Sequence, residues 1–313
     1  MSMEGQNPTP IPVPSLPKGA GEMLRHLTTR GCKDLTEKLD TVSRYPFHRG
    51  GFGKIYKGRL HDGTWVAIKL LARKKRDQGQ VKRKAAKRAV KESYTWFKCK
   101  NPGIHELLGV ARFGNCIAMV SPWVKAGTLP EYISDHPDVD RLQLAYQVAS
   151  GLAYLHLSGT VHGDLKGSNI LISDNGRANL ADFGNSKLRD DTLCFTTTTS
   201  CGGFSARYAA PELIEGGPQT LHSDMYALGM TILEIISGQV PHSDIKLEFS
   251  VMYQVATLGR LPSRPNNQHM PTGSAGNKLW SLMMACWDKD PSHRPGAAFV
   301  RDQLKIISGD THA

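Results

Sequence analysis

The sequence predicts an α+β protein with two segregated lobes, a sheet first and helices after it. Three stretches carry that prediction. Between Phe52 and Leu70, two runs read as strands: Phe52-Gly-Lys-Ile55-Tyr56-Lys-Gly58 and Trp65-Val66-Ala67-Ile68-Lys69-Leu70. From Leu142 to His156, Leu144, Val148, Leu152 and Leu155 recur at helical spacing. From Asp224 to Ser237 the residues are apolar nearly all round, the pattern of a helix buried on every side.

Taken in chain order, the first element is an expected flexible tail over residues 1–40. It opens with Pro8, Pro10, Pro12, Pro14 and Pro17 and has few large apolar residues, too few to offset its ordering entropy. The alternating prolines favour an extended geometry suited to a partner's groove, and a plain solvated leader fits the same composition. Asp62-Gly63 marks the hairpin turn between the two strand runs. Residues 78–98 hold few breakers and place Val81, Ala85, Ala89 and Trp96 at helical spacing. Ile117-Ala-Met-Val120 reads as another buried strand.

The chain has 313 residues, a length that fits about two domains. Hydrophobic residues at 40% and charged residues at 21% are ordinary for a globular protein. The net charge of +11 is uneven, with much of it in Arg73-Lys74-Lys75-Arg76, Lys82-Arg83-Lys84 and Lys87-Arg88. Read plainly, that run is the solvated face of the 78–98 helix. It also suits an acidic regulator, a phosphorylated partner or a nuclear-import receptor, while nucleic acid is not the expected partner. The six cysteines form no C-x-x-C pair and no zinc-finger spacing, so reduced thiols in a cytoplasmic or nuclear protein are expected. No secretory pattern and no apolar run of about 18 residues stands in the sequence, so no membrane span is expected.

Four segments carry chemistry. His48-Arg49-Gly50-Gly51-Phe52-Gly53 is glycine-rich, so that backbone amides can close over phosphate oxygens. A Walker loop is excluded, because His48 and Ile55 stand where it needs Gly and Ser or Thr. Lys69 ends an apolar strand, where a buried ammonium needs a partner; Glu92 on the following helix is the natural one. In Val161-His162-Gly163-Asp164-Leu165-Lys166-Gly167-Ser168-Asn169-Ile170, Asp164 can orient a hydroxyl and take its proton. Lys166 can neutralise a moving phosphoryl group, and the Asn169 amide oxygen can hold a metal ion. Asp182, in Leu180-Ala-Asp182-Phe183-Gly184, supplies a second hard oxygen of the kind Mg²⁺ prefers.

In this order, the segments resemble the signature set of eukaryotic protein kinases. The likeness runs from about Tyr45 to about Ile307 and is greatest to the tyrosine-kinase-like branch of serine/threonine kinases. The Ser-Pro-Trp123 and Cys286-Trp287 pieces are also similar to small fungal kinases. The resemblance implies a bilobal kinase fold with an N-lobe over 41–120, a C-lobe over 121–308 and a tail over 309–313. It implies ATP and Mg²⁺ as cofactors, a protein substrate, and transfer of the γ-phosphate to protein hydroxyls. Arg49, Gly50, Gly51, Phe52 and Gly53 would cover the phosphates, and Lys69 with Glu92 would anchor them. Ile55, Ala67 and Leu171 would sandwich the adenine, Ser121 would be a small gatekeeper, and Pro122, Trp123 and Val124 would meet the adenine edge. Asp164 and Lys166 would be catalytic, and Asn169 and Asp182 would bind the metal. Trp96, His162 and Phe183 would stack as a spine. Glu212, in Ala210-Pro211-Glu212, would pair with Arg294, and Asp224 would brace the catalytic loop.

Two departures stand out. His48 replaces the first glycine of the phosphate loop, where its side chain would crowd the nucleotide. Gly163 replaces the arginine that ordinarily grips an activation-segment phosphate, so activity is expected to depend only weakly on such phosphorylation. Thr196, Thr197, Thr198, Thr199 and Ser200 nevertheless form a hydroxyl-rich stretch that invites autophosphorylation. Lys166 favours serine and threonine acceptors. The rival reading is a nucleotide-binding pseudokinase scaffold, against which the retained Lys69, Glu92, Asp164, Asn169 and Asp182 speak.

Overall fold

The computed structural model describes residues 20–50, 53–71, 90–114, 116–188 and 204–311. The N-terminal lobe is an antiparallel sheet of β1 (Leu39–Val42), β2 (His48–Gly50), β3 (Gly53–Leu60), β4 (Trp65–Leu71), β5 (Gly109–Phe113) and β6 (Cys116–Pro122). Its order is β1-β3-β4-β6-β5, with β2 on β3. The expected hairpin turn joins β3 to β4. Asp62 accepts from the Thr64 amide at 2.9 Å, and Gly63 takes a left-handed φ of 90° that a Cβ would oppose.

Register follows from the period of two along a strand. Val66 and Ile68 point into a cluster with Leu35, Leu60, Ala111, Ala118 and Val120. Ala67 and Lys69 therefore share the opposite face. Across the sheet, Ala67 pairs with Ser121 and Lys69 with Met119.

The segment 20–40 departs from the expected tail. Helix α1 (Ala20–Thr28) lays Met23 and Leu27 against Cys32, Val110, Ile117 and Val90 of helix α2 (residues 90–98). The adjoining chain adds hydrogen bonds from Val110 N to Lys33 O (2.9 Å) and from Leu35 N to Val110 O (2.8 Å). An i, i+4 apolar pair suffices because the sheet and α2 leave an apolar face for it to cover. The proline run itself, and residues 72–89 with the basic run, lie outside the described residues.

The C-terminal lobe holds α3 (Leu129–Asp135), α4 (Arg141–Leu157), α5 (Pro211–Ile214), α6 (Leu221–Ser237), α7 (Glu248–Ala256), α8 (Gly273–Cys286) and α9 (Ala297–Thr311). Short strands β7 (Thr160–Val161), β8 (Ile170–Ile172), β9 (Ala178–Leu180) and β10 (Lys187–Leu188) pair as β8–β9 and β7–β10. Helix α6 is buried continuously from Ser223 to Ile236, as its composition predicts. Its N-terminus is capped by Thr220, whose hydroxyl accepts from Ser223 N at 3.1 Å. Among the described residues, no helix is long and apolar enough to cross a membrane.

Candidate active site

Strand β4 delivers Lys69, helix α2 delivers Glu92, and the turn after β9 delivers Asp182. The Lys69 ammonium lies 2.6 Å from Glu92 Oε1 and 2.7 Å from Asp182 Oδ1. Burial alone would lower the lysine's pKa, but the two carboxylates outweigh it and hold the group charged above its ordinary value. Burial likewise pushes Asp182 upward, and Lys69 and the Gly184 amide reverse the shift, so the carboxyl stays below its usual range. Asp182 adopts a left-handed backbone, φ 60° and ψ 76°, which aims its side chain at Lys69.

That turn is held by aromatic packing. Phe183 stacks on Trp96 of α2, with ring centroids 6.0 Å apart, and lies 5.7 Å from the His162 ring. The Trp96 indole N–H donates to His105 O. The expected Trp96, His162 and Phe183 stack is thus assembled, and it fixes α2 with Glu92 facing Lys69.

The loop between β7 and β8 hangs on α6. Asp224 accepts from the backbone amides of His162 (2.7 Å) and Gly163 (2.9 Å), with His156 Nε2 at 3.0 Å. Gly167 N donates to the buried Glu234 at 2.8 Å. Burial raises the Glu234 carboxyl, and hydrogen bonds from Tyr208 and Gly167 offset part of that rise. Asn169 Nδ2 donates to Asp164 O (2.7 Å) and Oδ2 (3.0 Å). Lys166 Nζ sits 3.1 Å from Asp164 Oδ2.

Ser205 enters this group from the segment before α5. Its hydroxyl donates to Asp164 Oδ1 at 2.9 Å and accepts from Lys166 at 2.6 Å. A hydroxyl is thus held and oriented between a carboxylate and an ammonium. No local pattern sets Ser205 apart from the other hydroxyls that precede it in the sequence.

Around the entrance, Ala67 faces Ser121 across the sheet, and Leu171 of β8 bridges to Thr128. Pro122 ends β6, and Trp123 N donates to Trp65 O at 3.0 Å, which lays the lobe connection along the sheet up to Val124. His48 pairs with Ile55, and Arg49, Gly50 and Gly53 follow in the β2–β3 pairing; Gly51 and Phe52 lie outside the described residues. Phe47, which the sequence reading passed over, meets Trp123 edge-to-face at 4.8 Å, and Lys57 Nζ lies over the Trp65 and Trp123 rings. No local pattern distinguishes these aromatics; adjacency across strands makes them a wall. Thr196 to Ser200 lie outside the described residues.

Glu212 and Arg294 meet away from the cleft. The guanidinium is fully buried and binds both carboxylate oxygens, at 2.7 and 2.9 Å. It also donates to His222 O and Asp288 O.

The donor chemistry fits a shared metal ion. Both donated bonds of the Asn169 amide go to Asp164, which leaves its oxygen for a cation; with the Asp182 carboxylate it makes a hard-oxygen pair.

Comparison with known proteins agrees with this geometry. The family described as "Protein tyrosine and serine/threonine kinase" matches residues 45–304. Serine/threonine-protein kinase STY46 of Arabidopsis thaliana is 26% identical over 83% of the chain and 43% of its own length. Mitogen-activated protein kinase kinase kinase 1 of the same plant is 30% identical over 83% of the chain and 42% of its length. Tyrosine-protein kinase Src64B of Drosophila melanogaster is 27% identical over 83% of the chain and 45% of its length. The chain thus spans less than half the length of each of these relatives. It belongs to the protein tyrosine and serine/threonine kinase family.

Proposed function

We propose that the chain is an active serine/threonine protein kinase that transfers the γ-phosphate of ATP to protein hydroxyls. One observation carries the reading: Lys69, Glu92 and Asp182 form a bonded triad, Asp164, Lys166 and Asn169 form a second bonded group, and the two adjoin where Ala181 N, next to Asp182, donates to Asn169 O at 2.9 Å. A scaffold that only binds nucleotide has no need of the second group.

In this reading ATP lies between the lobes, with its adenine between Ile55, Ala67 and Leu171 and its edge on the backbone of Pro122 to Val124. The loop from Arg49 to Gly53 covers the phosphates, and Lys69, held by Glu92, binds them. Asp182 and the Asn169 oxygen hold Mg²⁺, which when bound neutralises phosphate charge. Asp164 orients the acceptor hydroxyl and takes its proton. Lys166 offsets charge on the moving phosphoryl group. Positioning and electrostatics supply most of the rate. The Ser205 hydroxyl, held by Lys166 against Asp164, is itself an aliphatic hydroxyl in that place, and the serine/threonine naming of STY46 supports the same preference.

The test is a radiolabelled-ATP assay on purified protein, wild type beside Asp164→Ala, followed by phosphoamino-acid analysis. Label in phosphoserine or phosphothreonine from wild type alone is expected. Equal label from both proteins, or none from either, would reject the reading.

A further inference from the structure

The 3-10 turn at Ala206–Tyr208 links the catalytic centre to the far side of the lobe, and Arg207 at its middle makes bonds that the proposed reaction does not use. Its guanidinium donates to four main-chain carbonyls of one turn: Pro241 (3.0 Å), His242 (2.6 Å), Ile245 (2.7 Å) and Lys246 (3.4 Å). Only a planar fork of several N–H groups can serve such a set.

The turn it grips is unusual. His242 has a left-handed backbone, φ 53°, and a buried side chain whose Nε2 has no hydrogen-bond partner. A non-glycine residue in that conformation persists only where its surroundings hold it. Burial pushes the His242 imidazole down to about 4, helped by Arg260 and Arg207 and opposed by Asp244, so it stays neutral beside the two guanidiniums.

On either side of Arg207 the same segment grips the catalytic loop. Ser205 binds Asp164 and Lys166, and Tyr208 bonds Glu234, which in turn accepts from Gly167. Three of four successive residues therefore anchor the segment to uncharged backbone or to catalytic-loop partners. None of these anchors is a phosphate.

We propose that Arg207 is a positioning residue for the protein acceptor: by binding the 241–246 carbonyls it fixes segment 204–208, and with it Ser205 against Asp164, from within the chain. The inference rests on the kinase reading above.

Acceptor and nucleotide kinetics separate the two. With dephosphorylated casein as acceptor, Arg207→Ala should raise the apparent KM for casein about tenfold, roughly the loss of a pair of hydrogen bonds. The KM for ATP should stay within about twofold, since no nucleotide contact is removed. Arg207→Lys, which can reach one or two carbonyls, should recover part of the loss. Hydrogen exchange, which needs no activity, should quicken in both 204–210 and 241–247 of Arg207→Ala while 164–171 stays protected. An unchanged casein KM, a parallel rise in both KM values, or unchanged exchange in the two segments would overturn the inference. A wild type that labels neither itself nor casein would bring down the kinase reading, and this inference with it.

Discussion

Lys69 carries a full charge between Ile68 and Leu70 on a strand whose other face is dry. Two carboxylates from distant parts of the chain meet it, and neither is redundant. Glu92 is nearly fully buried and fixes the ammonium from the helix side; Asp182 fixes it from the cleft. Asp182→Asn keeps the shape but removes the charge that Lys69 meets and that the proposed metal ion would use. Turnover should fall about a hundredfold or more, read as initial rates across a Mg²⁺ titration. Nucleotide-free stability should change far less.

Two buried histidines weaken the fold in acid. His105 and His242 both have pKa values lowered from 6.5 to about 4, His105 chiefly by burial and His242 by burial with help from neighbouring guanidiniums. The folded state thus favours their neutral forms. Their contribution to stability is complete above about pH 6.5 and is lost as pH falls toward 4, where the unfolded chain takes up protons that the folded chain refuses. The thermal midpoint should drop across that window, and His105→Gln should flatten part of the drop.

At the scale of elements, the loop between β7 and β8 explains the departure at position 163. Gly163 sits at φ 79°, and a Cβ there would meet Asn185 O at 2.8 Å and the Gln219 side chain at 3.1 Å. Gln219 also donates to Gly163 O at 2.7 Å, so it fills the space a longer side chain at 163 would need. Gly163→Arg should therefore destabilise rather than restore a phosphate switch. The left-handed backbone alone costs about 1–2 kcal/mol, and the contact with Asn185 adds to it; urea denaturation measures the sum. The segment ending at Tyr208 is already anchored through Ser205, Arg207 and Tyr208. Replacing Thr196 to Thr199 together with alanine should accordingly leave at least about half the activity, since no phosphate-binding arginine precedes Asp164. An inactive but folded quadruple variant would refute that expectation.

The polar groups of that loop were legible from their order between apolar runs. The anchors were not. Ser205, Arg207 and Gln219 bind partners 34 or more positions away, and Arg207 and Gln219 bind main-chain carbonyls, which carry no residue identity. Helix α1 escaped notice for a similar reason: Met23 and Leu27 look isolated until Val110, Ile117 and Val90 supply a surface.

For the whole molecule, the C-terminal lobe is a single core around α6, and α8 lies close enough that a Cβ on Gly229 would meet Trp287 Nε1 at 2.5 Å. The Glu212–Arg294 pair ties the segment after the cleft to that core. Glu212→Ala would leave a buried guanidinium with two backbone carbonyls and the Tyr226 ring but no carboxylate. A loss on the order of 3 kcal/mol is expected, seen as a lower denaturation midpoint with an unchanged slope.

By itself the sequence determined the sheet-then-helix order of the two lobes, the buried helix α6, and the identity and spacing of the polar groups in the loops that meet Lys69 and Asp164. Those follow from periodicity and from polar residues placed where apolar ones would otherwise stand, both of which are local. The tertiary structure alone decided that residues 20–40 fold, that Ser205 rests on Asp164, and that Arg207 clasps a distant turn. Such contacts arise between segments far apart in the chain, where geometry rather than residue type selects the partner.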